Sequence, residues 1–181
     1  MTIAITVGHR QSSQGARNTD GVTEWTGNAP ICQAIAEHLT SWGHIADVLY
    51  RPDSPDGMVL LVAQLNRRGY DVAVELHFNS FSSAAATGSE VLYHHASQDG
   101  LLLALSVQTR MVDALGLPDR GVKRIYDRER GWSYLSGTSM PAIIVEPYFG
   151  SNPGDTARAT ERSAELAQAI AQGIADYMET V

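Results

Sequence analysis

Four side chains able to hold a metal ion or carry a proton stand where apolar runs stop or a helix is due to start. His9 follows the run Ile3–Val7, His77 closes 71–77, and Glu146 closes the β-branched run Ala142–Val145. Glu24 ends a polar loop, just ahead of a segment with helical spacing. Two imidazoles and one carboxylate form a donor set used for catalytic zinc, with a fourth position left for water. Zinc lowers the pKa of such a water to about 7, and a further carboxylate is then needed to move protons. Glu146 is suited to that task, because a charge at the end of a buried strand is costly without a partner or a job. Each residue also has an ordinary reading. A histidine at a strand end is commonly a hydrogen-bonding group, and a glutamate before a helix complements the helix dipole. Spacing alone leaves both readings open.

The elements that must position these residues can be read in chain order. Ile3–Val7 predicts a first core strand, and residues 10–23, with Gly15, Asn18, Asp20 and Gly21, predict a loop long enough to be functional. Thr26 or Asn28 is placed to cap a helix running to about Trp42, with Ile31, Ile35, Leu39 and Trp42 at helical spacing. Residues 44–50 predict a second strand. Met58–Arg68 predicts a second helix, with Leu61, Val62 and Leu65 inward. Residues 71–77 and 88–94 predict two further strands, and 100–115 a third helix ended by Gly116 and Pro118. Residues 119–140 read as irregular, with only weak signals for short strands. After the buried strand at 142–146, one long helix is expected from about Pro153 to Met178, with Leu166, Ile170, Ile174 and Met178 on one face. Strands alternating with helices imply crossover connections. The expected fold is therefore α/β: a three-layer αβα arrangement, with a mostly parallel twisted sheet of about six strands covered on both faces.

Composition narrows the classes of function. The chain has 181 residues, a size that fits a single domain over residues 1–181. Its net charge is −7 and its only Lys/Arg pairs are Arg67-Arg68 and Lys123-Arg124, which argues against a nucleic-acid partner. One cysteine, Cys32, excludes an internal disulfide and a Cys-rich zinc site, and reads as a buried inert thiol. The amino-terminal residues lack the pattern of a signal peptide, so synthesis in the cytoplasm is expected. The apolar runs are far shorter than the roughly 20 residues of a membrane span, so no membrane insertion is expected. The sequence has no HExxH, GxSxG or GxGxxG, which removes the helical zinc-protease, serine-hydrolase and dinucleotide signals. His38 and His44, flanking a helix end, read as structural. His94 and His95 should point to opposite faces of their strand and so cannot share a metal.

The ordered motifs add what spacing cannot. Gly8-His9 is followed fifteen residues later by Glu24. His77-Phe78-Asn79 follows a core strand, and then come Gly88-Ser89-Glu90-Val91-Leu92-Tyr93 and Arg120-Gly121-Val122-Lys123. Met140-Pro141-Ala142, Glu146, Phe149, Ser151 and Asn152 close the series. In this order, over nearly the whole chain, the motifs resemble those of the zinc-dependent N-acetylmuramoyl-L-alanine amidases of the type-3 group. The resemblance implies zinc held by His9, Glu24 and His77, with Glu146 as the catalytic proton shuttle. It implies hydrolysis of the amide between N-acetylmuramic acid and L-alanine in peptidoglycan. By their chemistry, Asn79, Arg120 and Lys123 can contact the carbonyls and carboxylates of such a substrate, and surface solvation is their ordinary reading. Two departures are visible: Thr6-Val7-Gly8-His9-Arg10-Gln11 lacks the family's usual flanking residues, and Pro147-Tyr148 follows Glu146 where a glycine is common. Two other functions use the same residues: a zinc peptidase cutting within the stem peptide, and a non-catalytic peptidoglycan-binding module. A chain of this kind resembles a phage endolysin that reaches the wall through a holin-type pore, and a bacterial or prophage-borne enzyme fits the same features.

Overall fold

The structure, a computed structural model describing residues 1–180, is built on a six-stranded sheet. Its strands are β1 (Thr2–Val7), β2 (Ile45–Tyr50), β3 (Val72–Leu76), β4 (Ser89–His94), β5 (Asp119–Ile125) and β6 (Ala142–Glu146), in the order β2-β1-β3-β6-β4-β5. All neighbours are parallel except β4 and β6, which run antiparallel. β1, β3, β4 and β6 are buried almost throughout, as their apolar, β-branched sequences require of a sheet covered on both sides.

Helices α1 (Glu24–Ser41), α3 (Gln98–Leu115) and α6 (Ser163–Met178) cover one face, packing on the alternate strand residues Ile3, Ile5, Val7, Val74, Leu76, Ile143 and Val145. The shorter α2 (Gly57–Arg68) and α4 (Trp132–Gly137) cover the other, over Ala4, Ala73, Leu92 and Ile144. In α6, Leu166, Ile170, Ile174 and Met178 form the expected buried stripe. Each such aliphatic side chain contributes up to about 1.5–3 kcal/mol on leaving water.

Several elements depart from the sequence expectation. α1 starts earlier, at Glu24, because the Thr23 side chain accepts the Thr26 N–H and caps it. Its buried stripe is Asn28, Cys32, Ile35 and Leu39, while Trp42 lies outside, stacked on His38. The region 119–140 holds β5 and α4 rather than irregular chain. The long carboxyl-terminal helix is two helices, α5 (Pro153–Glu161) and α6, broken at Arg162. No glycine or proline marks that break. Tertiary anchoring makes it: Arg162 leaves helical geometry and its guanidinium donates to the Ala114 carbonyl at the end of α3. His94 and His95 do not diverge, because the strand ends at His94 and His95 enters a turn; their rings lie 4.5 Å apart, beside Trp132.

Candidate metal centre and proton shuttle

The strand order decides where a site can form. From β1 the chain moves to one side to build β2, then returns to place β3 on the other. Such a switch point leaves a crevice beyond the carboxyl ends of the two strands. His9 lies just past β1, His77 just past β3, and Glu146 ends the next parallel strand, β6.

Glu24 reaches this crevice from the first turn of α1. Asn28, one turn on, donates to the Leu76 carbonyl and ties the helix to the end of β3. The Glu24 carboxylate accepts Ala16 N–H at 2.9 Å and Phe78 N–H at 3.3 Å. It faces His9 Nε2 at 3.1 Å and His77 Nδ1 at 2.9 Å. One donor atom from each of His9, Glu24 and His77 lies within 4.8 Å of the others. Two imidazoles and a carboxylate at that spacing suit a divalent transition metal. The surroundings leave no space for anything larger than glycine. A Cβ at Gly8 would sit 2.6 Å from His77 Nε2, and one at Gly15, where φ is +79°, would sit 2.4 Å from His9 Cδ2. His9 itself has φ of +67°. For a non-glycine residue that conformation costs on the order of 1–3 kcal/mol and persists only where the surroundings enforce it.

The electrostatics call for a positive charge at this point. Burial works to raise the Glu24 pKa, but hydrogen bonds from His77 and His9 outweigh it and bring it down to about 2. Burial works to lower the His77 pKa, but Glu24 and Glu75 flank the ring and lift it to about 10.

Glu146 belongs to a second cluster on the same rim. Its Oε1 accepts Arg130 Nη1 at 2.8 Å, while among the described residues its buried Oε2 has no partner. Burial lifts its pKa to about 7; Arg130 and His77 oppose that rise and Glu90 adds to it. Glu90 is bound by Arg130 Nη2 and Arg120 Nε, each at 2.7 Å, and by Asn79 Nδ2 at 2.8 Å. These cations hold its carboxyl below the usual range against the effect of burial. His9, Glu24, His77, Asn79, Arg130 and Glu146 share the lining of one open cavity of about 510 Å³. Arg120 and Lys123 do not line it. Arg120 is paired with Glu90 and lies over the Phe149 ring, and Lys123 donates to the Arg120 carbonyl on the exposed side of β5. Tyr148 turns inward against Phe78, so the residues after Glu146 leave the cavity open.

Sequence reasoning gave no role to Glu75, Arg51 or Arg130, and none to Glu90 beyond its place in a motif. Glu75 interrupts the apolar alternation of its strand, which is a readable signal. Glu90 reaches the rim only because β4 runs backwards, pairing Glu90 with Glu146. Arg130 sits in a stretch with no periodicity.

Comparisons with known proteins bear on the family and the fold. Residues 3–176 match the family model described as N-acetylmuramoyl-L-alanine amidase. An uncharacterized Bacillus subtilis protein, YqiI, is 28% identical over 185 residues, covering 98% of this chain and 85% of its own. The crystal structure of an N-acetylmuramoyl-L-alanine amidase from Clostridium difficile 630 is 26% identical, with a TM-score of 0.86 over 99% of this chain and 97% of that one. The catalytic domain of the CD27L endolysin, which targets Clostridia difficile, is also 26% identical, with a TM-score of 0.85 and 97% of each chain covered. With a family match over nearly its whole length and this fold, the chain belongs to the N-acetylmuramoyl-L-alanine amidases, a family of cell-wall hydrolases.

Proposed function

We propose that the chain hydrolyses the amide joining N-acetylmuramic acid to L-alanine in peptidoglycan, with one zinc ion held by His9, Glu24 and His77. The observation that carries this reading is Glu146, a buried carboxylate on the same rim with one oxygen held by Arg130 and the other free. When bound, zinc supplies a water acidic enough to act as hydroxide near neutral pH and polarises the scissile carbonyl.

The protein's own residues do the rest. His9, Glu24 and His77, whose donor atoms face one another in the crevice, would hold the cation. Glu146 would take at Oε2 the proton that the attacking water gives up and deliver it to the amine nitrogen as the C–N bond breaks. Burial gives that carboxyl a proton affinity near neutrality, which suits both halves of the transfer. Arg130, by fixing Oε1, keeps Oε2 in one orientation. Asn79 lines the cavity and is the substrate contact we favour. With Arg120 and Lys123 outside that lining, Arg130 and Arg51 are the arginines that line the cleft, and Arg51 is paired with Glu75.

A wall-binding module has no use for a buried proton shuttle. A zinc peptidase would use the same chemistry on a different bond, so the products decide. Mass spectrometry of digested murein is expected to give intact stem peptides with a free amino-terminal alanine. Peptides cut internally would contradict the assignment. On this reading residues 1–181 act as one catalytic unit, and the setting is that of an endolysin, made in the cytoplasm and released to the wall through a holin-type pore. The likeness to the CD27L catalytic domain supports that setting. Among the described residues no helix is long and apolar enough to cross a membrane.

A further inference from the structure

Glu75 takes part in none of the steps above, yet it is a charge placed in the middle of the sheet, 1% exposed. Two residues before His77, it stands on the same face of the strand. Its Oε1 accepts Arg51 Nη2 at 2.8 Å, and its Oε2 lies 3.3 Å from His77 Nε2. Arg51 follows β2, so its guanidinium reaches across β1 to β3. Packing does not explain this arrangement. An aliphatic residue would fill a sheet core without needing a buried partner, and buried ion pairs are poor stabilisers compared with apolar replacements.

The two nitrogens of His77 have different neighbours. Nδ1 faces Glu24 and Nε2 faces Glu75, and both carboxylates share the lining of the one cavity. A neutral imidazole carries one N–H, and the hydrogen bond made by one nitrogen fixes which of the two is left bare. We infer that Glu75, locked by Arg51, is a positioning residue for the metal centre: it accepts the Nε2 proton of His77 and so keeps Nδ1 free to ligate. Carboxylates behind a ligating imidazole fix its tautomer and orientation and raise its basicity. Arg51, by holding Oε1, leaves Oε2 turned to His77 Nε2. The inference rests on the metal reading given above, and on this chain's own ion pair.

The test is zinc affinity of the full chain, measured by competition with a chromophoric chelator, for the parent, Glu75→Ala, Glu75→Gln and Arg51→Met. Glu75→Ala is expected to bind zinc roughly 10- to 100-fold more weakly. Glu75→Gln, which keeps an acceptor oxygen, should recover part of that loss. In the zinc-loaded parent the His77 Nε2 proton should give an imidazole N–H resonance protected from exchange, and Glu75→Ala should lose that protection. A merely structural role predicts a lower melting temperature of the metal-free protein with an unchanged zinc Kd, and that result would overturn the inference. Where Glu75→Ala does not fold, Arg51→Met reads the same point: a weaker Kd with faster N–H exchange supports it, and unchanged values overturn it. A parent chain that binds no zinc would refute the metal reading itself, whereas variants that bind as the parent does would refute only the part given to Glu75.

Discussion

Among single residues, the proposed function asks most of Glu146, and its behaviour can be tested without any substrate. Burial lifts its pKa from 4.5 to about 7 in the metal-free protein. A carboxyl whose pKa is higher folded than unfolded stabilises the fold below its unfolded pKa, and that contribution is lost as pH rises through the folded value. The metal-free chain should therefore lose stability between pH 4.5 and about 7 through this group. Glu146→Gln cannot ionise, so it should gain on the parent across that interval, by roughly 1–3 kcal/mol. Denaturant melts of both proteins in chelator, at the two ends of the interval, check this; a stability gap independent of pH would contradict it. Glu146 was legible in the sequence because it breaks an otherwise apolar run at a strand end. His9, Glu24 and His77 were legible for the same reason, as polar groups at element boundaries. Glu75 was given no role although it interrupts an apolar alternation just as plainly, because its partner Arg51 is distant in sequence and lies just past another strand.

Elements set how well these residues converge. α1 brings Glu24 to the crevice only if its first turn forms where it does, and Thr23 decides that by capping it. Thr23→Ala should cost about 1 kcal/mol. In a chain of this size that lowers the melting temperature by about 2–4 °C. Because Glu24 is the first helical residue, zinc affinity should fall as well; isothermal titration of the variant with zinc checks this, and an unchanged affinity would show that α1 is held by its packing alone. The sheet is mostly parallel as expected, and the direction of β4, which the expectation left open, matters most for the site. A parallel β4 would carry Glu90 to the far edge of the sheet. The reversed strand delivers it beside Glu146, where it gathers Arg120, Arg130 and Asn79. Strand direction leaves no mark on residue alternation, so no local pattern could reveal it. The break at Arg162 was equally hidden, since its cause is a contact with the end of α3.

For the whole molecule, the sheet order turns scattered residues into one site. β1, β3 and β6 lie side by side and parallel, so their carboxyl ends place His9, His77 and Glu146 on one rim. The apolar periodicities sufficed to anticipate this α/β architecture, because strands alternating with helices admit few layered arrangements. Metal and fold should be coupled in such a molecule, since the ligands come from two strand ends and a helix start that only the folded chain brings together. Zinc at a hundred times its Kd should stabilise the parent by about 2.7 kcal/mol. His77→Ala should lose that stabilisation, and thermal melts with and without zinc read both; a zinc-dependent rise that survives in His77→Ala would place the metal elsewhere. The central claim, that Glu146 moves protons at a metal held by three other residues, is tested most directly by measuring zinc content and peptidoglycan turnover together in Glu146→Gln. The predicted result is one zinc per chain with turnover reduced roughly 10²- to 10⁴-fold. One zinc per chain with the turnover of the parent would contradict it.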